Sequence, residues 1–314
     1  MAIPRNVEKF PVRLLLSIGG IGIELKWKAP PLAKEAHQVF YPAFLSNSYH
    51  RPRATRRASP IDVRLQVHWG ELPDLTPESM IFDAVSNHWR LFRANGHKVF
   101  EIFDTMPPHP TVQFAVMGPD LRSGDLYLRP EATTPPGEPW SLTHLLTPLD
   151  QLLLVNILSQ GRGVLLHALG VADQGEGLLF IGRSGAGKTT LANLYKPHQG
   201  VTILNDERVV VTKKDDRFWL SGTPWPGIGL MVSADTVPLR KVFFLEHGTR
   251  NALISDRLPT LLTLFIQQLF LPFWKKEALA FALRFGEELL RTVPTARLAF
   301  VNDARVIEFL RSQI

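Results

Sequence analysis

The chain of 314 residues contains no cysteine. Disulfide bonds, thiolate nucleophiles and cysteine-ligated zinc sites are therefore excluded. It also lacks a long apolar run, because the longest candidate, LLTLFIQQLFLPF from Leu261, is too short to cross a bilayer and contains two glutamines. We interpret this run as a buried helix and expect no membrane-spanning segment.

Neither sign of charge dominates the composition. Lysine and arginine number 35 against 29 aspartates and glutamates, which gives a formal net charge of +6. This excess is compatible with anionic ligands but identifies none. A basic run, HRPRATRR at 50–57, has no interleaved aromatic residues, so we expect a solvated loop there and no nucleic-acid partner. The apolar fraction of 45% is high enough for a sizeable core.

The first ~130 residues have the pattern of β-strands. Residues 61–69, IDVRLQVHW, alternate apolar and polar side chains, and Asn95-Gly96 lies between two strand-like runs, which indicates a two-residue hairpin. PEATTPPGEPW at 130–140 is a proline-rich break. The sequence therefore predicts a β-rich N-terminal domain over 1–140 and a second domain over 141–314.

After the break, strands and helices alternate, which predicts an α/β domain. Thr147-Pro148 begins a capped helix that runs to about Ser159. Further helices are predicted after the Gly-rich loop, near 258–270, near 276–292 and from about Ala304. Strands are predicted at GVLLHALGV, GLLFI, VTILNDERVVV and RLAFV.

The most specific motif is Gly182-Arg-Ser-Gly-Ala-Gly187-Lys188-Thr189. It fits the pattern G-x-x-x-x-G-K-[ST] and lies between a predicted strand and a predicted helix. Its glycines let successive N–H groups point at phosphate oxygens, Lys188 reaches the β and γ phosphates, and Thr189 helps to hold Mg²⁺. The motif predicts a site for ATP with Mg²⁺. The residues expected to contact the nucleotide are Gly182, Arg183, Ser184, Gly185, Ala186, Gly187, Lys188, Thr189 and Thr190.

Charged residues near this loop are the candidates for chemistry. Asp206 and Glu207 follow an apolar strand, where carboxylates could hold Mg²⁺ or take a proton from an attacking hydroxyl. His167 lies in the strand before the loop and could relay a proton or simply be a buried, hydrogen-bonded histidine. Arg240 could neutralise charge on a transferred phosphate, or be a solvated strand-edge charge.

Three segments resemble the catalytic core of the HPr kinase/phosphorylase family in order and spacing: GRGVLLHALGV from Gly161, GLLFIGRSGAGKTTLANL from Gly177 and ILNDERVVV from Ile203. GTPWPG at 222–227, followed by VPLRKVFFLEHG, is similar to more divergent HPr-kinase-related proteins, some of which are linked to modification of peptides such as lasso-peptide precursors. The resemblance covers about 145–250. It implies a P-loop, phosphoenolpyruvate carboxykinase-like fold, with a mixed sheet and flanking helices.

The resemblance also implies roles for individual residues. Asp206 occupies the position of the catalytic aspartate, which acts as base on the hydroxyl. Glu207 stands where the family has a second aspartate implicated in metal binding, and His167 matches the family's histidine. Thr190 replaces an acidic residue of the regulatory members, and their Arg- and Asn-rich C-terminal signature has no counterpart. These departures argue against dephosphorylation, a hexamer and the HPr protein as acceptor.

The first functional hypothesis is a cytoplasmic, ATP-dependent phosphotransferase. It would move the γ-phosphoryl group to a hydroxyl, Ser or Thr of a small protein or peptide, with Lys188 on the phosphates and Asp206 as base. Two alternatives stay open: a nucleotide-dependent binding or regulatory module without transfer, and a small-molecule kinase. The sequence does not decide between ATP and GTP, and it leaves the acceptor, the oligomeric state and the role of the N-terminal domain open.

Overall fold

A computed structural model describes residues 12–28, 41–45, 60–84, 86, 88–129 and 142–313. These residues form helices and two mixed sheets, so the predicted α/β class is confirmed. The chain divides into two compact units, Met1–Leu153 and Leu154–Ile314. The basic run at 50–57 and the proline-rich break at 130–140 lie outside the described residues. The domain boundary predicted after residue 140 falls beside that break and stays a prediction.

The first unit is built on one mixed β-sheet. Its described strands are β1 (Val12–Ile18), β2 (Ile21–Trp27), β3 (Ile61–Trp69), β4 (Ser79–Ala84), β5 (Trp89–Ala94), β6 (His97–Phe103), β7 (Thr111–Met117) and β8 (Ser123–Leu128), with a short 3-10 helix at Pro42–Phe44. They lie in the order β1-β2-β3-β8-β7-β6-β5-β4. The pairs β2–β3 and β3–β8 are parallel, and the other neighbours are antiparallel.

Turn chemistry explains the hairpins of this sheet. Asn95 and Gly96 join β5 to β6 with φ angles of 50° and 75°, and positive angles at both residues match the right-handed twist of the flanking strands. The hairpin predicted at Asn95-Gly96 is confirmed. The strand predicted at 61–69 is also confirmed, because it coincides with β3. Phe92, Val99 and Phe114 pack together as a buried cluster on this part of the sheet.

The rest of the chain contains both strands and helices. The strands are β9 (Gly163–Asp173), β10 (Glu176–Ile181), β11 (Val201–Asn205), β12 (Arg208–Lys214), β13 (Arg217–Ser221), β14 (Thr236–His247), β15 (Ala252–Ile254), β16 (Leu269–Phe270) and β17 (Thr295–Phe300). The helices are α1 (Leu142–Leu146), α2 (Leu149–Leu158), α3 (Lys188–Tyr195), α4 (Leu258–Ile266), α5 (Lys276–Thr292) and α6 (Arg305–Arg311).

Strand β10 carries the Gly-rich loop and has a paired strand on each side in the second sheet. It pairs antiparallel with β9 and parallel with β14. Because β14 is also reached through β9, β12 and β13, these five strands form a closed ring of pairings. Because β10 and β14 are parallel, their carboxyl ends meet at one edge. The Gly-rich loop leaves β10 at this edge.

Both faces of β10 are buried, which explains its continuous apolar run. Leu178 and Phe180 face a layer that includes Leu191 and Tyr195 of α3 and residues of α6. Leu179 and Ile181 alternate to the other face and belong to a second buried cluster, which includes residues of α4 and α5. Strand β10 therefore lies between two buried apolar layers, each of which includes helical residues, and α3 packs in one of them.

The apolar run from Leu261 differs from the predicted single helix at 258–270. Helix α4 ends at Ile266, and Leu269 and Phe270 form β16, which pairs with Leu166 and Leu165 of β9. The prediction failed because this pairing is not encoded by local periodicity. Helix α5 coincides with the helix predicted at 276–292. Within the described ranges, no helix combines the length and apolar character needed to cross a membrane.

Phe180 offers a test of the layered core. Its buried ring stacks on Phe243, with centroids 5.1 Å apart, and is tilted against Tyr195 at 5.8 Å. We expect Phe180→Ala to lower the free energy of unfolding by about 3–5 kcal/mol, because it leaves a cavity between packed layers. Urea denaturation measures this loss. The exposed Phe273 is the control, and Phe273→Ala should change stability by no more than about 0.5 kcal/mol; equal losses would contradict the layered core.

Candidate functional site

The Gly-rich loop curls between β10 and α3 because two of its glycines have positive φ. Gly185 has a φ of 81° and Gly187 a φ of 94°, which residues with side chains rarely adopt. Gly187 also has no room for a side chain, because a Cβ atom there would lie 2.7 Å from the ring of Phe300. The loop therefore delivers its backbone N–H groups to the N-terminus of α3, where the helix dipole favours an anion.

Lys188, the first residue of α3, folds back over this loop. Its Nζ donates to the carbonyl oxygen of Gly182 at 2.8 Å and to that of Arg183 at 3.3 Å, and only 7% of the residue is exposed. Burial lowers the pKa of Lys188, and the carboxylate of Glu207 opposes that shift. The buried ammonium group thus has two neutral partners in the loop, and a charged phosphate oxygen would be a stronger acceptor than either.

The remaining loop residues contribute mainly backbone. The side chains of Arg183 and Ser184 are exposed, and Arg183 donates to Gln267 Oε1 at 3.5 Å. Thr189 and Thr190 lie partly buried in the first turn of α3. Of the two, Thr189 has the position in the motif from which a hydroxyl can bind Mg²⁺.

His167 and Glu207 form a pair beside the loop. His167 Nε2 lies 3.3 Å from Glu207 Oε2, and both side chains are partly buried. The backbone N–H of His167 donates to Gln268 O at 2.7 Å, which fixes the strand that carries it. Burial lowers the pKa of His167, the positive charges of Lys188 and Arg208 act in the same direction, and Glu207 opposes them. The imidazole, this carboxylate and the lysine of the loop therefore interact electrostatically.

Asp206 has a separate set of hydrogen-bond partners, although it precedes Glu207 directly. It is 1% exposed, and its carboxylate accepts hydrogen bonds from the N–H groups of Gly227 at 2.9 Å, Gly229 at 2.7 Å and Met231 at 3.4 Å. These donors belong to the segment 222–235 between β13 and β14, which we call the β13–β14 loop. Asp206 is therefore bound to that loop in this structure, and the role of base expected for it stays a prediction.

Asn205 holds the backbone that carries the two acids. Its buried side-chain oxygen accepts from the N–H groups of both Glu207 and Arg208 at 2.7 Å, which holds a tight turn after β11. Its amide nitrogen donates to the carbonyl oxygens of Thr223 at 2.9 Å and Trp225 at 3.2 Å. One asparagine thus orients the acidic pair and anchors the start of the β13–β14 loop.

Arg208 is a charged neighbour of the site that sequence reasoning missed. It lies directly opposite His167 in the β9–β12 pairing, and its guanidinium carbon lies 5.4 Å from the centre of the Phe270 ring. The signal was present in the sequence, because Arg208 follows the acidic pair at the start of the next strand. Its charge lowers the pKa of His167.

Arg240 does not join the site. It lies near the start of β14, beside the pairs Gly177–Leu239 and Leu178–Lys241, whereas the Gly-rich loop begins after Ile181 at the other end of β10. The residues of β14 that do reach the loop are at its carboxyl end, where His247 Nε2 lies 3.0 Å from Gly185 O. The parallel register therefore separates Arg240 from the phosphate loop.

A cavity of about 690 Å³ adjoins the Gly-rich loop. Its walls are Gly182–Ala186, Phe244–His247 at the end of β14, and residues of α4 and the strands next to it. Arg297 lines it and pairs with Glu246 at 3.1 Å and with Asp256. The size suits a drug-sized molecule, and the mixture of aromatic, aliphatic and charged groups is typical of ligand sites.

No group of three or more His, Asp and Glu side chains converges on a metal position in the described part of the chain. Mg²⁺ commonly takes only one or two protein ligands and completes its shell with phosphate oxygens and water. Thr189 in the first turn of α3 and the carboxylate of Glu207 fit that requirement.

Neither a family model nor a curated protein matches the chain. Among solved structures, it is similar to the HPr(Ser) kinase/phosphatase from Coxiella burnetii, with a TM-score of 0.27 and 11% sequence identity. The match covers 48% of this chain and 91% of that protein. This is a distant structural relationship.

The electrostatic contact between His167, Glu207 and Lys188 predicts opposite pKa changes in two variants. We expect Glu207→Gln to lower the pKa of His167 further, because it removes the charge that opposes the effect of burial. Lys188→Met should raise the pKa of His167, because it removes a positive charge. Histidine chemical shifts followed by NMR against pH measure both changes. Glu246→Gln, a carboxylate paired with Arg297 instead, should leave His167 unchanged; a pKa unaffected by Glu207→Gln would contradict the contact.

Proposed function

We propose that this protein is an ATP-dependent kinase that transfers the γ-phosphoryl group to a hydroxyl, using a P-loop carboxykinase-like nucleotide site. The observation that carries the proposal is the position of Glu207. Its carboxylate contacts His167 and opposes the lowering of the pKa of Lys188 by burial, and Lys188 is the lysine of a G-x-x-x-x-G-K-T loop. A proton acceptor and the phosphate-binding cation therefore share one small region, as phosphoryl transfer requires.

The chemical step follows from these groups. The loop amides and Lys188 hold the β and γ phosphates, and Glu207 takes the proton of the acceptor hydroxyl. The hydroxyl oxygen then attacks the γ-phosphorus, and the bond to the bridging oxygen breaks, with its electrons passing to the β-phosphate. His167, whose pKa is lowered by burial, stays neutral and orients Glu207 by a hydrogen bond.

We assign the base to Glu207 rather than to Asp206 because of their hydrogen-bond partners. Both oxygens of Asp206 already accept N–H groups of the β13–β14 loop, so a substrate hydroxyl would have to compete with three charge-assisted bonds. Mg²⁺ would neutralise charge that develops on the phosphates. In this proposal Thr189 supplies the hydroxyl that would hold it; the sequence predicted Asp206 and Glu207 as acidic ligands, but here Glu207 acts as the base and Asp206 stays bound to the β13–β14 loop.

The acceptor in this proposal is Ser or Thr of a small protein or peptide, and the protein acts in the cytoplasm, where ATP is available. The catalytic domain would extend over 141–314. The β-rich domain over 1–140 would recognise the acceptor or another partner.

A small-molecule acceptor is the second candidate, and the cavity beside the Gly-rich loop favours it. A volume of about 690 Å³ is sufficient for a metabolite. Incubation with γ-labelled ATP, Mg²⁺ and an extract of the source cells separates the two. A labelled band on a protein gel supports the polypeptide acceptor, whereas label that runs only with small molecules on thin-layer chromatography supports the metabolite.

Lys188 tests the nucleotide site. We expect Lys188→Ala to abolish ATP binding or turnover, because it removes the buried cation of the phosphate loop. Binding is measured by calorimetry and turnover by ADP release. The control is Lys196→Ala, since Lys196 is an exposed lysine just after the same helix. Unchanged ATP affinity and turnover in Lys188→Ala would contradict a triphosphate in this loop.

The acidic pair tests the assignment of the base. Glu207→Gln should keep ATP affinity within several-fold and reduce the rate of transfer by about 10²–10⁴-fold, the typical contribution of a general base. Asp206→Asn should mainly raise the KM for the acceptor, because it weakens the hold on the β13–β14 loop, which at Gly227 lies against the proposed base Glu207. Single-turnover transfer of labelled phosphate measures both. Loss of transfer in Asp206→Asn with full activity in Glu207→Gln would reverse the assignment.

A further inference from the structure

The β13–β14 loop presents two large aliphatic side chains to solvent. Ile228 is 97% exposed and Leu230 is 65% exposed. The stretch Gly222–Ala234 around them contains no charged residue. We call Ile228 and Leu230 the apolar tip. Single exposed apolar residues are normal on protein surfaces. The exposure of the tip is therefore informative only together with its position in the structure.

The apolar tip is held rigidly. The N–H groups on both sides of Ile228, those of Gly227 and Gly229, donate to the carboxylate of Asp206. Leu230 N donates to Gly227 O at 3.1 Å and closes a tight turn. A buried carboxylate that accepts backbone N–H groups makes bonds about twice as strong as neutral ones. The tip is therefore presented in one conformation before any ligand arrives.

The same contacts place the tip beside the proposed base. A Cβ atom at Gly227 would lie 3.2 Å from Glu207 Oε2, and one at Gly229 would lie 2.5 Å from Asp206 Oδ2. Glycine at these two positions lets the loop lie directly against the acidic pair. A molecule that contacts Ile228 therefore reaches Glu207 within the length of one or two amino-acid residues.

Leu230 is also held in an unfavourable backbone conformation. Its φ is 52°, in the left-handed region that asparagine and glycine adopt more readily than leucine. Leucine at this position costs stability twice, through its backbone and through its exposed side chain. Strain of this kind persists where the surroundings impose it, and it is common at ligand contacts.

We propose that the apolar tip binds an apolar side chain of the polypeptide acceptor next to the hydroxyl that is phosphorylated. This inference rests on the proposed kinase function and specifies its acceptor: a Ser or Thr flanked by an aliphatic or aromatic residue. Asp206 is then a positioning residue, which acts on the acceptor through the loop. The uncharged segment around the tip suits an apolar side chain and offers nothing to a phosphate.

A second copy of the chain is the less suitable occupant. Stable dimers bury about 800 Å² on each partner, and two side chains supply only a small part of that area. A short peptide needs far less surface, because its affinity comes from a few anchoring side chains.

The experiment uses a positional-scanning peptide library with one Ser or Thr and one fixed flanking residue in each pool, phosphorylated by the full chain with γ-labelled ATP. The wild type should prefer Leu, Ile, Met or Phe at one or more flanking positions by about tenfold over Ser and Asp. The double variant Ile228→Ser/Leu230→Asn should lose that preference. With the peptide that the wild type prefers most, the KM of the double variant should be about tenfold or more higher than that of the wild type, whereas kcat and ATP affinity should stay within about twofold.

The control variant is Leu279→Ser/Leu283→Ser, which removes two exposed leucines of α5, and it should retain the preference. Leu230→Asn alone should keep or raise the melting temperature, because asparagine tolerates the positive φ. Phosphorylation by the wild type without an apolar preference, or a preference that survives in Ile228→Ser/Leu230→Asn, overturns this inference but leaves the proposed kinase function standing. No transfer to any peptide by a wild type that binds ATP overturns the polypeptide acceptor and the inference together. A dimer that this double variant dissociates in sedimentation also overturns the inference.

Discussion

The three hydrogen bonds from the β13–β14 loop to the buried carboxylate of Asp206 are the constraint on which the candidate site depends. A carboxylate that is 1% exposed is stable only when it is paired or hydrogen-bonded, and here its donors are backbone N–H groups more than twenty residues further along the chain. The bonds fasten the loop over the end of β11 and leave Glu207 to face His167. Asn205 completes the arrangement, since its side chain holds both the turn and the start of the loop. The two adjacent acids therefore have different partners.

The second constraint is the register around β10. Antiparallel pairing of β9 with β10 places His167 one residue beyond the pair Ala168–Ile181, next to the start of the Gly-rich loop, and pairing of β9 with β12 sets Arg208 opposite His167. Parallel pairing with β14 brings His247 to the carbonyl of Gly185. The Gly-rich loop thus has Glu207 and His167 on one side and the cavity on the other. We interpret the first as the side of proton transfer, and the cavity is the place where the rest of a bound molecule would lie.

Local signals predicted much of this arrangement. The Gly-rich loop, the hairpin at Asn95-Gly96 and helix α5 were readable because their glycines, turn residues and periodicity act over a few neighbours. Contacts between distant segments were not readable. The end of α4 depends on the pairing of β16 with β9, the position of Arg240 depends on the β10–β14 register, and the orientation of Asp206 depends on donors from another loop. For the same reason, the sequence indicated the acidic pair but not which of the two acids is bound by the β13–β14 loop and which one contacts His167.

The most direct test is a crystal structure of the full chain with a non-hydrolysable ATP analogue and Mg²⁺. We predict that the triphosphate lies in the curl of Gly182–Thr189 and that Lys188 Nζ leaves the carbonyl oxygens of Gly182 and Arg183 for the phosphates. We also predict that Glu207, and not Asp206, lies nearest the γ-phosphate. A nucleotide bound elsewhere, or a γ-phosphate that faces away from Glu207 and His167, would contradict the proposed phosphotransfer.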